Sequence, residues 1–176
     1  MLTCLIFCTY ICFSFSKEYV PVDALDLNKY IGTWYQVYQD KFNQLFQGDG
    51  TCSTAKYDLT DDGKVSVVNS QYDENGNYDE ITGYAYYKND ECCGYLTVKL
   101  DGTPEAPYWV LELGPIIDDY YDYSIVSDDK ALSLYVLTRD VERFYKYYND
   151  DVLQSLQEFG FTKRYNQPFI MNQTDC

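Results

Sequence analysis

From Gly32 to Gln39 the side chains alternate, with Trp34, Gln36 and Tyr38 on one face and Tyr35, Val37 and Gln39 on the other. That period of two predicts a strand, entered through Gly32 and anchored by the largest apolar side chain, Trp34. Ser53–Thr60 repeats the pattern, with Ala55, Tyr57 and Leu59 opposite Thr54, Lys56 and Asp58. Asp62-Gly63 then supplies the positive φ angles of a hairpin turn. Val65–Tyr72 returns, Asp73–Asn77 turns again, and Tyr78–Lys88 forms a long strand bent at Gly83. Turn residues at Asn89–Gly94, Asp101-Gly102, Gly114-Pro115 and Ser127–Lys130 separate four more apolar runs, Tyr95–Leu100, Ala106–Leu113, Tyr121–Val126 and Ala131–Arg139. Eight strands joined mainly by hairpins are freed of exposed edges by closing into a barrel.

The periodicity changes at the end of the chain. Val152, Leu153, Leu156 and Phe159 form an apolar stripe at helical spacing, with Asn149 as the expected N-cap, Asp150 and Asp151 in the first turn and Gly160 at the stop. This helix is expected against the outer wall. Lys17–Lys29 reads as coil with one helical turn, and Phe169–Met171 as a short ninth strand. The fold class is therefore all-β, an eight-stranded antiparallel up-and-down barrel with a C-terminal helix outside.

Length and charge narrow the functions. A chain of 176 residues encloses its own core. With 13 Lys+Arg against 28 Asp+Glu the net charge is -15, which repels a phosphate backbone, so nucleic acid is not an expected partner. Histidine is absent, removing the usual general base, imidazole metal ligand and axial haem ligand. Neither cofactor nor metal is expected.

Residues 1–16, MLTCLIFCTYICFSFS, are an uncharged apolar run too short to span a bilayer and end in the small-x-small pattern Ser14-Phe15-Ser16. This predicts a signal peptide at 1–16 and a secreted, extracellular barrel domain at 17–176, without stable membrane insertion. Four cysteines remain, Cys52, Cys92, Cys93 and Cys176, and four allow three pairings. The adjacent Cys92 and Cys93 are open to three states: free thiols, a vicinal disulfide, or a link making a homodimer. Asn172-Gln173-Thr174 is a glycosylation sequon. The acidic run holding Tyr120, Tyr121 and Tyr123 suits either sulfation or ordinary aromatic packing at a solvated strand edge.

Three ordered motifs resemble the lipocalin family: Gly32-x-Trp34 at the first strand, Asp118-Asp119-Tyr120 followed by Tyr123, and Arg139 in LTRD at the end of the eighth strand. The segments GTWYQV, Cys52–Asn69 and Ala106–Leu113 are most similar to the apolipoprotein D and bacterial lipocalin group. Val141 stands where many members have proline. The resemblance implies that Arg139 covers Trp34 at the closed end of the barrel, with Gly32, Asp119 and Tyr120 as further structural positions. It also implies a Cys52–Cys176 disulfide and ligand-facing positions at Tyr57, Asn69 and Trp109.

The barrel interior of such a chain holds one small ligand. Alternation places Gln36, Tyr38, Tyr57, Leu59, Val67, Asn69, Leu96, Val98, Trp109 and Leu111 inward, a mainly apolar set with a few hydrogen-bonding groups. The leading expectation is a non-enzymatic carrier of a small hydrophobic molecule: a fatty acid, sterol, retinoid-like compound or biliverdin-type pigment. Burying about 300 Å² of apolar ligand surface contributes about 7 kcal/mol, and ordering costs leave roughly micromolar affinity. The alternatives are a thiol-dependent lipocalin-type isomerase, for which no cysteine falls inward, and a filled barrel that dimerises through Cys92 or Cys93.

Overall fold

The computed structural model describes residues 17–48, 50–88 and 93–176. The signal-peptide segment and Cys92 lie outside these described residues. Eight antiparallel strands make the barrel: β1 (Gly32–Gln39), β2 (Thr51–Leu59), β3 (Val65–Tyr72), β4 (Tyr78–Tyr86), β5 (Tyr95–Leu100) and β6 (Ala106–Leu113), then β9 (Tyr123–Ser127) and β10 (Leu134–Thr138). Each pairs with its neighbour, and β10 pairs back onto β1 to close the ring. Between β6 and β9 a small hairpin forms from β7 (Ile116–Ile117) and β8 (Tyr120–Tyr121) where a loop is expected, and Tyr121, expected to open the next strand, falls in this hairpin while that strand begins at Tyr123. Its turn residues Asp118 and Asp119 both have positive φ, 49° and 70°, as a two-residue turn of the primed type requires. The expected short ninth strand is present as β11 (Phe169–Ile170), and it pairs with β1.

Gly83 lies where β4 and β5 come closest. A Cβ there would lie 2.1 Å from the Lys99 carbonyl oxygen, so the close approach of β5 requires glycine. The strand expected at Ala131–Arg139 begins at Leu134, because the Asp128 carboxylate accepts from the Lys130 and Leu132 amides and holds that stretch as a turn.

The helical turn expected ahead of β1 is present, while the later helices depart from expectation. The single-turn helix α1 (Leu27–Tyr30) plugs one end of the barrel, capped by Asp26. A short helix, α2 (Lys41–Gln47), follows β1 and is capped by Asp40, whose carboxylate accepts from the Asn43 amide. The expected helix at Asn149 is only the second of a pair, α3 (Val141–Tyr147) and α4 (Asn149–Glu158). The cap is Asp140, accepting from the Arg143 amide at 2.9 Å, and Asn149 caps nothing. Asn149 instead accepts a hydrogen bond from Tyr38 Oη at 2.8 Å.

Two apolar layers result. The inner one gathers Trp34, Tyr57, Val67, Leu96, Val110 and Leu137 within the barrel. The outer one seals α3 and α4 onto the wall through Val37, Ile125, Val136, Phe144, Val152 and Leu156. Every residue of β9 is consequently buried, since one face meets the interior and the other meets the helices.

Candidate functional site

The floor of the barrel is built around Trp34, which is fully buried. The Arg139 guanidinium carbon lies 3.5 Å from the centroid of its ring, within cation–π range. The same guanidinium donates to the Thr33, Tyr30 and Ile31 carbonyls at 2.7, 3.0 and 2.7 Å, and Trp34 Nε1 donates to the Tyr30 carbonyl at 2.8 Å. Burial lowers the Arg139 pKa to about 10, which leaves it charged at neutral pH. Gly32 has φ +97°, and a Cβ there would sit 3.2 Å from Arg139 Nη1. Tyr120 covers the outer side of Arg139 at 5.5 Å, while Asp119 occupies the exposed turn beside it.

Above the floor, three tyrosines bridge the interior. Tyr30 stacks on Tyr57 with centroids 5.8 Å apart and an interplanar angle of 8°. Tyr108 Oη hydrogen-bonds Tyr30 Oη at 2.8 Å and Tyr57 Oη at 3.1 Å, and Tyr30 reaches Ser124 Oγ at 3.0 Å. Burial raises the pKa of all three phenols, so they are neutral hydrogen-bonding groups throughout the physiological range.

Over this layer opens a cavity of about 600 Å³. Its walls are Ala55, Tyr57, Val67, Val98, Leu100, Tyr108, Val126 and Leu137, and Gln36, Ser53 and Asn69 add polar atoms along β1–β3. The mouth is framed by Phe42 and Asn43 of α2, by Thr103–Glu105, and by Asp128–Lys130. Asn43 Nδ2 donates to the Leu134 carbonyl at 2.8 Å, tying α2 to β10 beside the opening. Glu105, Asp128 and Asp129 outnumber Lys130 there, so the entrance carries net negative charge.

Of the residues expected inward, Gln36, Tyr57, Val67, Asn69 and Val98 line this cavity, and Leu96 belongs to the inner core. Tyr38, Trp109 and Leu111 do not face it; they pack in the outer layer with α4 and the N-terminal segment. The reason for Tyr38 is a bulge in β1: Gln36 pairs with inward Leu137, but the next pair is Tyr38 with outward Val136. On β6 the parity is opposite to that expected, with Tyr108 and Val110 inside and Trp109 against Tyr19 and Tyr95 outside. Tyr108 is a cavity residue that alternation missed, and Val126, Tyr135 and Leu137 are others. The signal was weak because APYWVLEL is apolar on both faces, one covered by the core and the other by the helix. Leu59 lies near the end of β2 and is exposed.

The Cys52–Cys176 disulfide is present, with Cα atoms 5.4 Å apart. It returns the C-terminal tail to the bulged region of β1 and β2. There the Cys52 amide donates to the Asn172 carbonyl at 2.8 Å, and Gln173 Nε2 donates to the Gln36 and Ser53 carbonyls at 2.8 and 2.7 Å. Backbone groups that the interrupted ladder leaves unpaired are thereby satisfied. Cys93 is a half-buried free thiol outside the cavity lining. Asn172 is exposed, its side chain accepting from the Thr174 amide at 2.9 Å.

A closed eight-stranded barrel with a Gly-x-Trp entrance, an arginine stacked on that tryptophan and an outer helix defines a lipocalin. The family model for the lipocalin-like domain matches residues 25–165, and the chain belongs to that family. It is 33% identical over 129 residues to the outer membrane lipoprotein Blc of Vibrio cholerae, covering 73% of this chain and 72% of that one. It is 37% identical over 105 residues to apolipoprotein D of Cavia porcellus, covering 59% of this chain and 51% of that one, so the match spans about half of apolipoprotein D. Among solved structures, the cockroach allergen Per a 4 has the same fold, with a TM-score of 0.62 at 19% identity over 90% of this chain and 94% of that one. No helix among the described residues is long and apolar enough to cross a membrane.

Proposed function

We propose that this lipocalin is a non-enzymatic carrier that holds one small hydrophobic molecule inside the barrel. The observation that carries the reading is the cavity of about 600 Å³, walled by aliphatic and aromatic side chains above a sealed floor. Tyr57 and Tyr108 offer flat faces near the bottom, while Val67, Val98 and Leu100 offer aliphatic surface. A sterol, a fatty acyl chain or a flat pigment fits such walls. Of the described cysteines, neither Cys93 nor the bridged Cys52 and Cys176 line the cavity.

The same reading places the mature protein outside the cell, released from the segment 1–16, with the Cys52–Cys176 bridge suited to an oxidising compartment. Native mass spectrometry of the purified protein, followed by solvent extraction, tests the carrier function: a bound species of small hydrophobic mass is the expected result. A chain that emerges empty and takes up no hydrophobic probe contradicts it. Amino-terminal sequencing of protein recovered from the culture medium tests secretion, with Lys17 expected as the first residue and retention in the cell as the contrary result.

A further inference from the structure

The cavity is not uniformly oily. Gln36 and Asn69 stand on the same stretch of wall: Trp34 pairs with Ala55 and Ala55 with Asn69, and Gln36 is two residues beyond Trp34 on the same face. Ser53 and Ala55 of β2, the strand between theirs, line the same cavity. Gln36 is 4% exposed, and its Oε1 accepts from Ser53 Oγ at 3.0 Å. Gln36 Nε2 and Asn69 Oδ1 are both buried and have no hydrogen-bond partner among the described residues. A buried polar atom without a partner is costly, and two of them on a ligand-sized cavity mark a place where a guest supplies the missing bonds. The floor tyrosines differ, because their hydroxyl groups already satisfy one another.

Resting on the carrier reading, we infer that the guest is a neutral lipophile whose polar end both donates and accepts hydrogen bonds, an amide or an alcohol, docked on Gln36 and Asn69. One free donor and one free acceptor on the wall match one acceptor and one donor on the guest. Rotating both side-chain amides exchanges the two roles and keeps the match, while rotating one alone leaves two donors or two acceptors, which a primary amide also meets with its carbonyl oxygen or its NH2 group. Both wall residues are uncharged, so an ionised head group would lose its hydration beside them without gaining a counter-charge. A guest that ends in hydrocarbon would leave the two wall atoms unpaired.

The test is displacement of N-phenyl-1-naphthylamine by a matched decyl series: decane, decanol, decanamide, decanoate and decylammonium. Decanamide and decanol are expected to compete about tenfold more strongly than decane and more strongly than either ion. In the Q36L/N69L double variant, amide and alkane are expected to compete alike, with a cooperative thermal transition verifying the fold. If all five displace the probe and decane or an ion is as strong as decanamide in the wild type, the polar docking is wrong and the carrier reading stands. If the wild type takes up neither the probe nor any member of the series, both fail.

Discussion

Arg139 shows how much one side chain holds. It covers Trp34, bonds three carbonyls of the β1 entrance and fills the space that Gly32 leaves open. Arg139→Ala is expected to destabilise by about 2–4 kcal/mol, from two part-buried carbonyls left without their donor and an uncovered indole. Arg139→Lys should recover only part of this, because an ammonium lacks the planar fork; urea denaturation of both variants measures the difference. Asp40 makes the pH-dependent counterpart. It is fully buried, caps α2 with one oxygen and leaves the other unpartnered among the described residues, and burial raises its pKa from 3.8 to about 6. The folded state therefore binds the proton more tightly than the unfolded chain. This contribution is complete below about pH 4 and is lost as pH rises through 6. Asp40→Asn keeps the capping oxygen and removes the titration. Between pH 4 and pH 7.5 the stability of wild type should fall by about 2–3 kcal/mol relative to D40N. A parallel pH dependence of the two proteins contradicts the assignment.

At the scale of the elements, strands bounded by Asp-Gly or similar turns were legible from alternation, and so was the closure of the barrel. What alternation could not supply was the count of residues across a bulge. One extra residue between Gln36 and Tyr38 moves every later side chain of β1 to the other face. Where both faces of a strand are covered, as in β6 and β9, polarity carries no parity at all. The helix boundary failed for a related reason. The stripe of α4 was visible, but α3 is aromatic and charged, and its Asp140 cap directly follows what reads as the end of a strand. These placements make a prediction about Trp109, which packs outside between Tyr19 and Tyr95. Trp109→Ala should lower the thermal midpoint, with loss of about 2–4 kcal/mol, and leave the affinity for N-phenyl-1-naphthylamine unchanged. A large loss of probe affinity in the still-folded variant would restore Trp109 to the interior.

The whole molecule is a barrel with one sealed end, one framed mouth and a tail sewn back to the point where β1 and β2 part. Cys52 and Cys176 are 124 residues apart, so their bridge closes most of the chain into one loop. Replacing both with alanine should cost about 2–5 kcal/mol, read from denaturant midpoints, and should weaken the hold of Gln173 on the Gln36 and Ser53 carbonyls. The bridge, the floor and the helices all serve to keep a hollow interior from collapsing. Fluorescence titration with N-phenyl-1-naphthylamine of the wild type beside Val67→Trp, which fills the cavity from its wall, tests that most directly. Saturable enhancement at one site per chain is expected in the wild type, with a roughly micromolar Kd, and its loss in a V67W protein that still unfolds cooperatively. No enhancement in the wild type, or equal affinity in V67W, would contradict it.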